Sequence, residues 1–231
     1  MKLNKSVLIF GGTGGVGSEL INKFINNGYN VIFTGTSFNK KKRFINKIDI
    51  NNKLNLHFQK CNFEISSDIK KVIDFFFKSF PGDKIIIISS GIFFYDYLGK
   101  LNKKLINKIF NINLFSHMEI NRLVSKYKNF KIKIINLGSS SSYHSPSNTI
   151  LYSATKHALL STIRSMNSIK KNNVKNILVS TGSIKTKMGR KIKQNYKTFI
   201  STKFISNIIF DIAEEDFISS IEEIIIKRKI S

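Results

Sequence analysis

The chain has 231 residues and a mass of 26.4 kDa, and its 42% hydrophobic content predicts a packed core in place of a disordered chain. Cys61 is the single cysteine, which excludes an internal disulfide and a cysteine-built zinc site and suits the cytoplasm, and no apolar run approaches the roughly 20 residues that cross a membrane. The net charge of +24 raises the question of a nucleic-acid partner.

The amino-acid composition offers a simpler reason for this charge. Isoleucine supplies 39 residues, lysine 33 and asparagine 25, but arginine only 5, and the first three are the amino acids that A/T-rich codons encode. The lysines are scattered along the whole chain, whereas a nucleic-acid groove needs a basic stripe with interleaved aromatic residues. We therefore expect neither a nucleic acid nor a membrane as partner, although a positive field speeds the encounter with anionic ligands.

Short apolar runs alternate with segments of helical periodicity along the chain. The runs predict buried strands at residues 7–10, 31–33, 54–58, 85–88, 132–137, 177–179 and 223–226. Between most of them, apolar residues recur at helical spacing, as at Ile69, Val72, Ile73, Phe76 and Phe77. This alternation predicts a parallel sheet of about seven strands with helices on both faces. Since no linker interrupts the pattern, residues 1–231 are predicted to form a single doubly wound α/β domain of the Rossmann type.

A glycine-rich segment joins the first predicted strand to the first predicted helix. Residues 11–17 read Gly-Gly-Thr-Gly-Gly-Val-Gly, in which Gly11, Gly15 and Gly17 have the spacing G-x3-G-x-G. Glycines allow a tight turn and a close approach of the backbone to a pyrophosphate, and the N-terminus of the following helix favours phosphate. The usual dinucleotide fingerprint is G-x-G-x-x-G, so this spacing is a variant of it. The segment predicts a dinucleotide site.

The end of the second predicted strand distinguishes between the two nicotinamide cofactors. An acidic side chain there would bind the ribose hydroxyls of NAD and repel a 2′-phosphate, but residues 34–43 contain none. Thr36 and Ser37 offer hydroxyls instead, and residues 40–43 are three lysines and an arginine, which can neutralise a phosphate. The sequence therefore favours NADP(H) over NAD(H).

A second group of polar residues falls in the later part of the chain. Tyr152 and Lys156 lie four residues apart and hence on one face of a helix. An adjacent cation and a positive nicotinamide ring would lower the pKa of the phenol, so the pair predicts a general acid. Ser139 follows the strand predicted at residues 132–137, at the edge where open α/β sheets bind ligands, and can hold a carbonyl oxygen beside Tyr152.

Together these residues resemble the short-chain dehydrogenase/reductase family over nearly the whole chain. Ser139, Tyr152 and Lys156 match the serine and the Tyr-x3-Lys signature of that family, and the glycine loop resembles its cofactor motif. The resemblance implies that Asn113 completes the catalytic set, by organising a water for a proton relay with the lysine. It also implies a homodimer or homotetramer, formed by helices over residues 101–128 and 152–171.

The resemblance further implies which residues contact the cofactor. Asn62 stands near the adenine, Gly182 in the turn after the sixth strand, and Thr186 against the nicotinamide. The full predicted cofactor site consists of Gly11, Thr13, Gly14, Gly15, Val16, Gly17, Thr36, Ser37, Asn62, Phe63, Ser90, Gly91, Tyr152, Lys156, Gly182, Ile184 and Thr186. Residues 183–201 are expected to form a short basic lid over the substrate.

Three supporting positions depart from the family pattern. Phe10 stands where threonine is common, Ser89 where asparagine is typical, and Thr181 where proline is usual. The residues predicted to handle protons are all retained. We interpret the departures as drift in positions that support the sheet and its turns.

The predicted reaction is reversible hydride transfer between NADPH and a carbonyl carbon, with Tyr152 as the general acid. A 3-oxoacyl thioester, on an acyl carrier protein or on coenzyme A, is the first candidate substrate; a sugar, a nucleotide sugar or another small alcohol or ketone is the alternative. A non-catalytic NADP-binding regulator or scaffold is an alternative of another class, against which the retained catalytic residues argue. The four histidines show no metal-ligand spacing, and no metal is expected.

Overall fold

A computed structural model describes residues 5–39, 55–169, 173–216 and 221–228. Its seven strands are β1 (Ser6–Phe10), β2 (Asn30–Gly35), β3 (Leu56–Lys60), β4 (Lys84–Ile88), β5 (Ile132–Leu137), β6 (Val174–Thr181) and β7 (Glu223–Ile226). Its α-helices are α1 (Gly15–Asn26), α2 (Ser66–Ser79), α3 (Lys103–Phe110), α4 (Ser116–Val124), α5 (Ile150–Asn167) and α6 (Thr202–Glu214). None of the described helices combines the length and the apolar content of a membrane span.

All seven strands belong to one parallel sheet. Their order is β3-β2-β1-β4-β5-β6-β7, and each neighbouring pair is parallel. The chain winds outward from β1 in one direction and from β4 in the other, so the order reverses between these two strands. Phe10 pairs with Ile88, which places the carboxyl ends of β1 and β4 side by side. A crevice at this reversal is where open α/β sheets bind ligands.

Each face of the sheet has its own hydrophobic core. On one face, α1 and α6 pack together and bury Leu20, Phe24 and Ile209. On the other face, α2 and α4 cover the sheet with residues such as Phe76 and Ile120. Burial of apolar surface at about 25 cal/mol per Å² makes these two layers the main source of stability. The strand ends that carry the site are therefore supported by a packed apolar layer on each face of the sheet.

Helices α3 and α4 are the two parts of one longer helix, joined by a π-helical turn at Asn111–Phe115. The backbone stays helical through the junction, as the angles at Phe110 and Ser116 show. A π-turn changes the direction in which its side chains point relative to a regular helix, and such turns are frequent at functional sites. Asn113 lies within this turn.

The observed architecture confirms the predicted Rossmann-type α/β fold. Five of the seven strands differ from their predicted bounds, and β3 and β6 differ most. β3 ends at Lys60, two residues later than predicted, and position 54 lies outside the described residues. β6 begins at Val174 because Lys175 and Asn176 continue the strand, and an apolar run alone does not reveal a buried asparagine.

Candidate active site

A cavity of about 780 Å³ occupies the crevice at the carboxyl ends of the strands. The loop before α1, the ends of β1, β2, β4, β5 and β6, the first turns of α5 and residues 183–194 form its wall. Its volume is in the range of small-molecule and cofactor sites. The wall includes the lysines Lys156, Lys187 and Lys193 but, among the described residues, no carboxylate.

The glycine loop passes too close to its neighbours for side chains. Gly11 has a φ of +81°, and a Cβ there would lie 2.5 Å from the hydroxyl oxygen of Ser90. A Cβ on Gly17 would lie 2.3 Å from the carbonyl oxygen of Gly11. The backbone N–H of Gly11 also donates a hydrogen bond of 3.0 Å to the Thr34 hydroxyl. Glycine is therefore required where the loop turns and where α1 packs beneath it.

The start of α1 fits the pyrophosphate of a dinucleotide. Gly14, Gly15 and Val16 line the cavity, Gly14 caps the helix without a side-chain hydrogen bond, and the first turn has no acidic residue. The first N–H groups of a helix lack partners within it and favour a negative charge. By contrast, the described residues contain no group of three His, Cys, Asp or Glu side chains that could hold a metal ion.

Three predicted catalytic side chains meet on the wall of this cavity. Tyr152 and Lys156 lie one turn apart on α5, with the Lys156 ammonium 5.8 Å from the centre of the Tyr152 ring. The ammonium donates a hydrogen bond of 3.2 Å to the carbonyl oxygen of Leu137, at the end of β5. Ser139 follows that strand and lies beside the Tyr152 phenol on the same wall of the cavity. The sheet edge and one helix thus position the phenol, the ammonium and the hydroxyl.

Burial controls the protonation of this group. It raises the pKa of Tyr152, and the Ser139 hydroxyl beside the phenol partly opposes that rise. It lowers the pKa of Lys156 from its usual value of 10.5 to about 8. Both shifts have the same cause, since a low-polarity environment disfavours the charged form of either group. The lysine can therefore exchange a proton near neutral pH, and the phenol remains protonated in the ligand-free protein.

Asn113 supports the site from behind the wall and does not line the cavity in the described structure. Its side chain is fully buried and binds both backbone polar groups of Ile92, accepting from the N–H at 2.8 Å and donating to the carbonyl at 2.9 Å. Its amide nitrogen also lies 3.4 Å from the Thr155 hydroxyl, next to Lys156. Asn113 therefore connects the π-turn to the segment after β4 and to α5.

Most of the predicted site residues converge on the cavity. The wall contains Gly11, Thr13, Gly14, Gly15, Val16, Thr36, Asn62, Phe63, Ser90, Gly91, Ser139, Tyr152, Lys156, Gly182, Ile184 and Thr186. Of the remaining predicted residues, Gly17 lies under the loop, and Ser37, like Asn113, is not part of the described wall. The cationic residues 40–43 lie outside the described residues.

The departures from the family pattern have local structural roles. Ser89 joins the ends of β4 and β1, because its hydroxyl donates to the Phe10 carbonyl at 2.9 Å and its N–H donates to the same oxygen at 3.0 Å. The Phe10 side chain is fully buried, with its ring 5.3 Å from that of Phe63. Thr181 ends β6 opposite Ile226.

Several wall residues have no counterpart among the predicted ones. Phe93 and Tyr95 follow β4, and Asn148 and Thr149 precede α5. A cluster of aromatic residues directly after a buried strand, at 93–95 and 97, was the available signal in the sequence. It has neither helical nor strand periodicity, so it predicts no structure.

Residues 183–201 form a loop whose two ends are hydrogen-bonded to each other. The Lys185 N–H donates to the Ile200 carbonyl at 2.8 Å, and the Ile200 N–H donates to the Ser183 carbonyl at 2.9 Å. The middle of the loop, including Met188 and Ile192, lines the cavity next to the first turns of α5. These hydrogen bonds hold the two ends of the loop in place, whatever residues its middle contains.

Comparisons with known proteins agree with this geometry. A family model described as short chain dehydrogenase matches residues 5–197. The 3-oxoacyl-[acyl-carrier-protein] reductase FabG of Buchnera aphidicola subsp. Baizongia pistaciae (strain Bp) is 27% identical over 213 residues, which cover 90% of this chain and 84% of that protein.

Solved structures share the fold across nearly the whole chain. The structure of ElxO with NADP bound superimposes with a TM-score of 0.85 at 22% identity, covering 97% of both chains. An alcohol dehydrogenase from the archaeon Thermococcus sibiricus, complexed with 5-hydroxy-NADP, has a TM-score of 0.84 at 14% identity and covers 96% of this chain and 95% of its own. At these identities the likeness establishes the fold.

Proposed function

The chain belongs to the short chain dehydrogenase family, whose members are oxidoreductases that act on alcohols and carbonyls with NAD(P), and from this we propose that it reduces a carbonyl compound to a secondary alcohol with NADPH. One observation carries the proposal. The Ser139 hydroxyl, the Tyr152 phenol and the Lys156 ammonium lie on the wall of the same cavity as the glycine loop. A protein that only binds a dinucleotide needs no such group.

Each side chain has a role that follows from its position. Ser139 holds the substrate oxygen beside Tyr152, and Tyr152 donates the proton to that oxygen. Lys156 carries a positive charge close to the phenol, which favours the phenolate left after proton transfer, and because its pKa is lowered to about 8 it gives up a proton more readily than an ordinary lysine. Asn113 takes part in the proton relay to Lys156 and holds Ile92 in place. When bound, the nicotinamide cofactor supplies the hydride.

NADP(H) is the cofactor that the site favours. Thr36 lines the cavity just after β2, and no carboxylate occurs at residues 34–39 to repel a 2′-phosphate. The solved relative ElxO was obtained with NADP bound. Titration of the protein with NADPH and with NADH, followed by nicotinamide fluorescence, is expected to give tighter binding of NADPH; equal affinities would contradict this preference.

A 3-oxoacyl thioester is the substrate that we propose first. The support is the similarity to the 3-oxoacyl-[acyl-carrier-protein] reductase, at 27% identity, together with a cavity whose described wall has no carboxylate. NADPH oxidation with acetoacetyl-coenzyme A, measured beside a panel of ketones and sugars, tests this choice. Activity with the sugars alone would favour the alternative substrates.

The proposal predicts that removing the Tyr152 hydroxyl strongly lowers turnover. Tyr152→Phe removes the proton donor but keeps the ring, so turnover should fall by about 10²- to 10⁴-fold while NADPH still binds. Tyr97→Phe is a matched control, because Tyr97 is exposed and lies outside the described wall. Unchanged turnover in Tyr152→Phe would refute the assignment of the phenol. If the wild-type protein bound NADPH but did not oxidise it with any of the carbonyl compounds, it would instead be a regulator or scaffold.

We also propose a cytoplasmic homodimer or homotetramer. A second cavity of about 770 Å³, on the surface beside α2, α4 and α5, is lined by Phe115, Met118 and Ile169, which are 50%, 40% and 59% exposed. Exposed apolar patches of this kind often mark contacts between subunits. Light scattering on the purified protein tests the proposal, and a monomer at micromolar concentration would contradict it.

A further inference from the structure

A row of aromatic rings leads outward from the candidate catalytic phenol. The Phe93 ring meets the Tyr152 ring edge to face, with 5.0 Å between their centres. The Tyr95 ring meets the Phe93 ring in the same manner at 5.2 Å. All three residues line the cavity. Edge-to-face pairs at these distances are favourable, so the three rings form a continuous apolar wall.

This aromatic row is held firmly at both of its ends. Ile92 is bound through both backbone groups by Asn113. Asp96, which is buried, accepts hydrogen bonds from the backbone N–H groups of Ile150 at 2.6 Å and Leu151 at 3.0 Å, at the start of the helix that carries Tyr152. The rings are therefore positioned before any ligand binds, which reduces the entropy cost of binding along them.

A lysine from the loop of residues 183–201 marks the outer end of the row. The Lys193 backbone N–H donates a hydrogen bond of 2.8 Å to the Tyr95 hydroxyl, and its ammonium lies 5.8 Å from the centre of the Tyr95 ring. Within the described residues, Lys193 has no carboxylate at ion-pair distance. Its charge is thus available to a ligand that extends along the rings.

We propose that Phe93, Tyr95 and Lys193 form a subsite for a carbonyl substrate with an apolar body and an anionic group at its far end. This inference rests on the proposed reductase function. The reacting carbonyl lies between Ser139 and Tyr152, the apolar body lies along the rings, and the anion pairs with the Lys193 ammonium. The anion is either a carboxylate of the substrate itself or a phosphate of the carrier to which an acyl substrate is attached.

Two matched pairs of substrates separate these sources of charge. The first pair is 9-oxodecanoate and its methyl ester; the second is acetoacetyl-coenzyme A and the neutral thioester S-acetoacetyl-N-acetylcysteamine. In one of the pairs, Lys193→Gln is expected to raise the KM of the anionic member by about three- to fivefold, which is the effect of losing a partly exposed ion pair. The kcat of that substrate, and the KM and kcat of the neutral member, should not change. Lys197→Gln, on the same loop but outside the described wall, is the control.

The outcomes identify the ligand or overturn the subsite. A loss confined to the first pair assigns a carboxylate, and a loss confined to the second assigns a carrier phosphate. Equal effects of Lys193→Gln and Lys197→Gln in both pairs overturn the inference, even if NADPH is oxidised, and leave the proposed function intact.

Calorimetric binding of decanoate and decanol to the NADPH-loaded protein tests the subsite without turnover. Weaker binding of decanoate alone in Lys193→Gln supports the subsite even if no substrate is reduced, in which case only the proposed reductase function fails.

Discussion

His117 is a buried residue whose protonation state follows from its contacts. It lies in α4, is 1% exposed, and its Nδ1 is 2.9 Å from the Asn136 amide oxygen, which accepts a hydrogen bond from it. The Nε2 atom is buried and has no hydrogen-bond partner among the described residues. Burial first, and then the positive charge of Lys156, lower the pKa of His117 to about 3. The imidazole is therefore neutral at physiological pH.

The buried His117 predicts a loss of stability at mildly acidic pH. An unfolded histidine takes up a proton near pH 6.5 and the folded one does not, so the free energy of unfolding should fall by roughly 2 kcal/mol between pH 6.5 and 5 on account of this residue. His117→Gln, which keeps an amide for Asn136, should remove most of this slope in urea unfolding. A smaller slope should remain, because burial also lowers the pKa of His57.

His144→Gln provides the control for that measurement. His144 is exposed, so its replacement should leave the dependence of stability on pH as it is in the wild type. If His117→Gln and His144→Gln gave the same slope as the wild type, His117 would have to be protonated in the folded protein.

Some residues of the candidate site can be recognised from the sequence and others cannot. Tyr152, Lys156 and the glycines are recognisable because their chemistry fixes both residue type and spacing. Phe93 and Tyr95 are not, because an apolar wall can be built from many residue types, and the segment after β4 has no regular structure. The role of Ser89 depends on a contact with Phe10, which lies far away in the chain.

The π-turn between α3 and α4 is an element that the sequence does not indicate. Its residues, Asn111–Phe115, continue the helical pattern on either side, and one extra residue in a turn leaves hydrophobic periodicity almost unchanged. The turn is identified only by the contact that it allows, the double hydrogen bond from Asn113 to Ile92. Strands and helices, by contrast, follow from alternating periodicity, and their order is enough to predict a parallel sheet.

Asn113→Ala should loosen the segment after β4. It leaves the N–H and the carbonyl of Ile92 without their partner, and an unsatisfied buried polar group costs about 1–3 kcal/mol. We expect lower stability in chemical unfolding, and faster hydrogen exchange at residues 91–96 than elsewhere in the sheet. Asn107→Ala, at an exposed position on α3, should change neither. Unaltered exchange at Ile92 in Asn113→Ala would show that the segment is held by other contacts.

Lysine is so abundant in this chain that lysine side chains also lie in the core. Lys133 is 1% exposed, and its ammonium donates to the carbonyls of Ile212 at 3.0 Å and Ala213 at 3.2 Å at the end of α6. Lys84, fully buried, lies over the rings of Phe76 at 5.2 Å and Phe130 at 4.8 Å. Helix carbonyls and ring faces both attract cations, so they offset part of the cost of burial.

These buried lysines predict that stability rises with pH above neutrality. Burial lowers the pKa of Lys84, Lys133 and Lys156 to about 8. Between pH 8 and 10.5 the unfolded chain keeps protons that the folded chain has released, so the free energy of unfolding increases, by up to about 1.4 kcal/mol per lysine for each pH unit. Burial raises the pKa of Cys61 to about 12, which has the opposite effect above pH 9.

The maximum of stability should therefore lie near pH 10, well above the usual range, because three lysines outweigh one cysteine until the lysines of the unfolded chain begin to lose their protons, and Lys133→Met tests the origin of this rise. This variant loses the hydrogen bonds to α6 at every pH, so its stability is expected to be lower throughout; the informative quantity is the slope. Between pH 8 and 9 the slope should fall by about one third, since one of three such lysines is gone. Lys71→Met, at an exposed position on α2, should keep the full slope. Equal slopes in the two variants would attribute the rise to relief of repulsion among the surface charges, which the net charge of +24 also supplies.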